Sequence, residues 1–256
     1  MSYSTIKVRF QGSICFVQFD RPDANNTINS QLVTECADVF SVCEEAATVV
    51  VLSGSEEVFC FGADFNALAK ASTQNDKVSE GPEPLYDLWL KMATGPYVTI
   101  SHIRGKVNAG GVGFVAASDI VLADDKAQFS LSELLFGLYP ACVLPFLIRR
   151  VGFQKAHYLT LMTQPITVKQ ANEWGLVDAF DAQSEALLRR HLLRLRRLSK
   201  PAIGRYKTFM NQINTPLQSL KAQAVAANLE VFTDAKNREA IARYVERGVF
   251  PWENER

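Results

Sequence analysis

Apolar and polar positions alternate along residues 5–19. Ile6, Val8 and Phe10 share one side, Gly12-Ser13 turns the chain, and Ile14, Phe16 and Phe19 follow. Period-two patterning around a glycine turn predicts a β-hairpin. Leu32, Val33, Cys36, Val39, Phe40 and Cys43 then recur at helical spacing behind Asn29 or Ser30, either of which can cap a helix running to about Glu45. The run TVVVL over Thr48–Leu52 predicts a strand buried on both faces. Phe59–Leu68 predicts a turn feeding a helix, Leu85–Ala93 a helix and Val98–Ile103 a strand. The glycine-rich Gly105–Gly113 precedes a helix start at Phe114–Ala117, and Ile120–Ala123 and Ala127–Ser130 predict short strands. From Pro145 the pattern is helical, with candidates at Ala156–Thr163, Val168–Trp174, Glu185–Leu198, Pro216–Thr233 and Ala235–Arg247. Strands interleaved with helices, then helices alone, define an α/β protein with a helical C-terminal part. No clean sequence repeat is visible. The polar stretch Ser72–Pro84, with apolar segments on both sides, predicts a mobile loop that could serve as a lid.

Composition narrows the function classes. The 27 Lys and Arg balance the 27 Asp and Glu, which argues against a generic nucleic-acid binder. An apolar content of 48% supplies a full core, and no run approaches the ~18 apolar residues of a membrane span. The first residues lack an apolar signal core, and the five cysteines show no CxxC spacing. A cytoplasmic protein without a disulfide framework or zinc site is expected.

Two glycine-bearing turns, Gly62-Ala63-Asp64 and Ala109-Gly110-Gly111, each follow an apolar strand and precede a helix. Such turns leave backbone N–H groups free, with the positive end of a helix dipole behind them. Facing each other, they would form a two-donor oxyanion hole in which small residues admit an incoming carbonyl. Ordinary tight turns are the alternative reading of the same spacing. Neither turn fits a dinucleotide or P-loop pattern.

Longer motifs add a resemblance. FCFGADFNAL resembles the FxxGADxxEL segment of the enoyl-CoA hydratase/isomerase (crotonase) superfamily. IRGKVNAGGVGFVAASDIVLADDKAQFSLSELLFGLYP is similar, without a gap, to that family's glycine-rich stretch ending in PExxxGxxP. PITVKQANEWGLVDAF and TDAKNREAIARYVERGVFPW resemble later segments in the same order. The resemblance implies a crotonase-like spiral of ββα units over residues 1–197 and a C-terminal helical region over 198–256, for assembly or as a lid, in one continuous fold. It implies a homotrimer or a dimer of trimers. It also implies an acyl thioester on the phosphopantetheine arm of CoA or an acyl carrier protein, with no separate cofactor and no metal. The thioester oxygen would rest on the amides of Ala63 and Gly110.

The carboxylates depart from the hydratase pattern. Its first glutamate falls at Gly113 and is absent; its second matches Glu133. Asp64 is the nearest candidate to compensate, and a capping role at the following helix is its alternative. The N-terminal IKVRFQGSICFVQFDRPDANNTIN, EEVFCFGADF and the missing first glutamate resemble the dehydratases of polyketide β-branching cassettes. Those relatives convert 3-hydroxy-3-methylglutaryl on acyl carrier protein to 3-methylglutaconyl. The partner decarboxylases of the same fold are thought to rely on a lysine and a C-terminal histidine. No histidine follows His191 here, while Lys91 keeps that alternative open. An enoyl isomerase, needing one base, and a non-catalytic binding subunit complete the alternatives.

Other features are weaker. Arg189, Arg190, Arg194, Arg196, Arg197 and Lys200 form a basic run opposite Leu188, Leu192 and Leu195. That run could dock an acidic carrier or simply be solvated. Arg149-Arg150 is a second candidate for an anion. Cys60 and Cys142 read as small apolar fillers, and His102, His157 and His191 show no ligand spacing. Trp89 and Leu85 could line an acyl pocket, with core packing as the default.

Overall fold

The computed structural model describes residues 3–73, 81–213 and 217–253. The predicted hairpin is β1 (Ile6–Gln11) and β2 (Ile14–Phe19), paired antiparallel with Gly12 at a positive φ in the turn. Helix α1 (Ser30–Ala46) starts where Asn29 accepts from the Leu32 amide, and its predicted apolar stripe is buried. β3 (Val49–Ser53) follows, then β4 (Val58–Cys60), α2 (Phe65–Thr73) and α3 (Glu83–Thr94). Next come β5 (Val98–Ile103), β6 (Lys106–Asn108) and α4 (Gly110–Ala117). β7 (Ile120–Ala123) and β8 (Gln128–Ser130) lead to a single 3-10 turn, Glu133–Phe136. The rest is α5 (Leu144–Val151), α6 (Phe153–Met162), β9 (Ile166–Thr167), α7 (Val168–Glu173), β10 (Ala179–Phe180), α8 (Ser184–Leu195), α9 (Lys200–Ile213), α10 (Leu217–Thr233) and α11 (Ala235–Arg247).

The strands sort into two sheets in a regular way. One has the order β1-β2-β3-β5-β7-β10 and the other β4-β6-β8-β9. Each step of the chain therefore adds one strand to the large sheet and the next to the small one: β3 then β4, β5 then β6, β7 then β8. This is a repeat of structure that the sequence does not display, and it is the spiral expected of the crotonase-like fold. Apart from β1–β2 and β8–β9 all pairings are parallel. Parallel strands buried on both faces account for the unbroken VVVL of β3.

Several sequence expectations shift. Helix α4 begins at Gly110 rather than Phe114. Its N-terminal glycines are helical because residues 111–117 are all buried, so packing overrides their low propensity. The strands β4 and β6 are three residues each, too short for alternation to show. Both α5 and α9 were unforeseen. In α9 the usual pattern is inverted: Lys207 is buried against Asp119 at 2.7 Å, while Tyr206, Phe209 and Ile213 are exposed. Of the expected loop Ser72–Pro84, the ends belong to α2 and α3, and residues 74–80 lie outside the described residues.

The C-terminal helices fold onto the spiral. Leu217 and Ala224 of α10 join the main core, which also holds Trp89, Phe114 and Phe146. Further along, α11 packs on α2 and the Glu133–Phe136 turn through a cluster of Phe136, Leu138, Val231 and Ile241. Among the described residues no helix is long and apolar enough to cross a membrane.

Candidate active site

The two glycine turns meet. At the first, Gly62 takes φ +90° and Ala63 makes a parallel bridge to Ile28. The bridge uses the Gly62 carbonyl, which accepts from Ile28 N at 2.7 Å, and the Asp64 amide, which donates to Ile28 O at 3.1 Å. Successive peptide groups of an extended segment point to opposite sides, so the Ala63 N–H faces away from Ile28. At the second turn Ala109 donates to Ser130 O at 3.0 Å, and Gly110 opens α4. A first-turn amide has no intrahelical acceptor. Among the described residues no carbonyl accepts from the Ala63 or Gly110 amide.

Contact between the turns depends on glycine. A Cβ on Gly62 would lie 2.6 Å from Ala109 Cβ and 3.3 Å from Gly110 N, and one on Gly111 would lie 2.3 Å from Cys60 O. Ala109 itself sits at φ 50°, ψ −125°, a conformation costing a non-glycine residue about 1–2 kcal/mol. The fold bears that strain at the point where the two free amides come together.

Asp64 is fully engaged. One carboxylate oxygen accepts from the Ala67 amide at 3.0 Å at the start of α2, and the other pairs with Arg21 at 2.8 Å. Arg21 also holds the Thr27 carbonyl, tying Ile28 and Asp64 into one frame. Burial alone would raise the Asp64 pKa; Arg21, the Ala67 amide and Thr27 outweigh it and hold the carboxyl below its ordinary value. Arg21 carries no signal in the sequence that links it to a residue so distant along the chain.

Glu133 stands in a different environment. Ser130 Oγ donates to Asn108 Oδ1 at 2.8 Å and Asn108 Nδ2 donates to Ser132 Oγ at 2.9 Å. Together with the Ala109–Ser130 bond, this clamp fixes the residue preceding Glu133 to the strand that delivers Gly110. The next turn is held from the C-terminal side. Asn237 Nδ2 donates to Gly137 O at 3.1 Å, and Phe136 packs against Phe65, Tyr244 and Phe250. Glu133 is 8% exposed, and its Oε2 is buried with no hydrogen-bond partner among the described residues. Burial pushes its pKa up to about 7, against a weaker pull from the Glu133 and Ser132 amides. A carboxyl poised near neutrality can both take and return a proton. If it is the base, kcat/KM rises with pH through an ionisation near 7 instead of the ordinary carboxyl range near 4.5. A pH profile of the free enzyme checks this.

The other candidates fall elsewhere. Lys91, which kept the decarboxylase alternative open, pairs with Glu44 at 2.9 Å and Ser41 at 2.8 Å on α1. Lys200 leaves the basic run: its ammonium caps α1 through Cys43 O at 3.1 Å and Ala47 O at 2.6 Å. The arginines of the run are exposed, while Leu187, Leu188 and Leu192 are buried. Arg150 is bound to Leu176 O, Ser118 O and Asp178, and it borders a cavity of about 200 Å³ with Arg149, Asp119 and Lys207. The candidate anion pair Arg149-Arg150 thus lines that cavity, whereas Ala63, Asp64, Gly110 and Glu133 do not. Cys60 and Cys142 are buried, with burial pushing each thiol up to about 12. Among the described residues no cluster of His, Cys, Asp and Glu could hold a metal.

Comparison with known proteins adds to this geometry. The enoyl-CoA hydratase/isomerase family model matches residues 9–255. The chain belongs to this family. A relative, the bacillaene synthase dehydratase PksH of Bacillus subtilis (strain 168), is 61% identical over 256 residues, covering 100% of this chain and 99% of that protein. The crystal structure of a polyketide biosynthesis enoyl-CoA hydratase (PksH) from Bacillus subtilis superposes with a TM-score of 0.95 over 98% of this chain and 100% of that one, at 61% identity. An enoyl-CoA hydratase from Bacillus halodurans shares the fold at a TM-score of 0.85 and 20% identity, over 93% of this chain and 99% of that one.

Proposed function

We propose that this protein is a hydro-lyase that dehydrates a 3-hydroxyacyl thioester, 3-hydroxy-3-methylglutaryl on acyl carrier protein, to 3-methylglutaconyl during polyketide β-branching. What supports the reading is that, among the described residues, no carbonyl accepts from the amides of Ala63 and Gly110, and that Glu133 is a buried carboxyl with its pKa raised to about 7. An identity of 61% over the full chain to a bacillaene synthase dehydratase supports the reaction class.

The chemistry follows from the residues present. The amides of Ala63 and Gly110 donate to the thioester oxygen, lowering the cost of an enolate. The Glu133 carboxylate removes the C2 proton. The C2–C3 double bond forms as the C3–O bond breaks, and Glu133 returns the proton to the departing hydroxide, which leaves as water. One carboxyl thus serves both halves of the elimination. The tertiary C3 of the branched substrate tolerates developing positive charge, which lessens the need for a second acid. Asp64 acts as a positioning residue, holding the Ala63 turn and α2 through Arg21 and the Ala67 amide.

The enzyme is read as cytoplasmic and as a homotrimer or a dimer of trimers. Exposed Phe153 and Leu161 on α6 and Tyr206, Phe209 and Ile213 on α9 support self-assembly. Mass spectrometry of the acyl group decides the reaction when 3-hydroxy-3-methylglutaryl is offered on acyl carrier protein and on CoA. A loss of about 18 Da, water, is expected, with the carrier-bound form turned over faster. A loss of about 44 Da would indicate decarboxylation, and an unchanged mass would overturn the dehydratase reading.

A further inference from the structure

Gly113 stands where the hydratase pattern places its first glutamate, and the structure shows what fills that space. A Cβ at Gly113 would lie 2.3 Å from Trp89 Cζ2, 2.5 Å from Cη2 and 2.7 Å from Cε2. The indole of Trp89, on α3, occupies the first bond-length of any side chain at position 113. A glutamate there is excluded by the ring itself.

The location of this ring follows from helix geometry. Gly110 and Gly113 are three residues apart on α4, on one face. Helix side chains lean toward the N-terminus and cover the turn before their own Cα. A side chain at 113 would thus project toward the turn that carries the free Gly110 amide. Trp89 takes that place from a neighbouring helix. It is held edge-on by Phe114 and Phe146, at centroid distances of 5.7 and 5.9 Å, and is 1% exposed.

The ring also carries a polar atom, Nε1, bonded to the Cε2 that would lie 2.7 Å from that Cβ. Trp89 Nε1 is buried and has no hydrogen-bond acceptor among the described residues. An unpaired buried donor costs about 1–3 kcal/mol, and such groups call for an explanation. Glu133 Oε2 is a second unsatisfied buried atom, an acceptor. A wholly apolar ring at this position would carry no unpaired donor, so the N–H calls for a role beyond packing.

We propose that the Trp89 indole N–H donates a hydrogen bond to the C3 hydroxyl of the bound 3-hydroxyacyl thioester, standing in for the acid missing at Gly113. This rests on the dehydratase reading. The indole keeps its proton throughout. It polarises the C3–O bond and holds the hydroxyl in place, while Glu133 supplies the proton that leaves with the water. A donor that cannot ionise also leaves Glu133 as the single titrating group of the reaction.

Trp89→Phe, and Trp89 replaced by its isostere β-(3-benzothienyl)alanine, which has sulfur in place of the N–H, test this. The isostere preserves the ring shape should the phenylalanine variant fold poorly. Two rates are measured on wild type and variants. One is water loss from 3-hydroxy-3-methylglutaryl thioester. The other is C2 hydrogen–deuterium exchange on 3-methylglutaryl thioester, which has no hydroxyl to lose. Water loss is expected to fall by about 10- to 100-fold, the worth of one buried hydrogen bond, with exchange unchanged. Wild-type rates of water loss in the isostere variant would overturn the proposal. So would an equal fall in both rates, which marks a packing role. A wild-type enzyme that exchanges C2 but releases no water overturns the dehydratase reading, and this role with it.

Discussion

Glu133→Gln is expected to lower kcat by about 10²- to 10⁴-fold, the usual worth of a positioned acid–base group. The substitution is nearly isosteric, so the thioester should still bind and KM should change little. The same exchange should not weaken the fold. Glu133 has its pKa raised from 4.5 to about 7 by burial, so the folded state holds its proton more tightly than the unfolded chain does. The stability this gives is full below pH 4.5 and is lost as pH rises through about 7. Above that pH a neutral glutamine removes a buried charge, and the variant should melt at or above the wild-type temperature. Loss of activity with preserved or raised thermal stability identifies a group kept for chemistry. Near-wild-type turnover would remove Glu133 from the mechanism.

Ala63→Pro is expected to lower kcat by about 10²- to 10³-fold, the cost of deleting one oxyanion donor. Proline removes the backbone N–H and fixes φ near −65°. The bridge to Ile28 runs through Gly62 O and Asp64 N, both retained. The residue before it is Gly62, which has no Cβ to meet the proline ring. Thermal melts should therefore show a smaller effect than kinetics. A variant that is stable, correctly assembled and fully active would show that the Ala63 amide plays no part.

The sequence made the site legible where chemistry is local. The two glycine turns follow from strand–turn–helix junctions rich in small residues, the family resemblance picks Ala63 and Gly110 within them, and Asn29 or Ser30 marks the α1 cap. Glu133 was readable only through a motif, because nothing in a lone Glu among SLSELLFG shows that burial will lift its pKa. What stayed hidden was non-local. The Arg21–Asp64 pair and the Asn108–Ser132 clamp join elements that neither periodicity nor turn chemistry connects. Trp89 in an apolar helical stripe reads by default as core filler, and its contact with position 113 is visible only in the structure. Helix α9 has no readable apolar stripe because Tyr206, Phe209 and Ile213 are exposed while Lys207 is buried beside Ile203, against the pattern of an amphipathic surface helix.

The central claim is that the amides of Ala63 and Gly110 jointly grip one thioester oxygen. It is tested most directly by the infrared stretch of a ¹³C-labelled thioester carbonyl bound to Glu133→Gln, in which turnover is blocked. The carbonyl band is expected at lower frequency than in water, with a return toward the solution value when Ala63→Pro is added. A bound carbonyl at its solution frequency in Glu133→Gln, or a shift that Ala63→Pro leaves untouched, would contradict it.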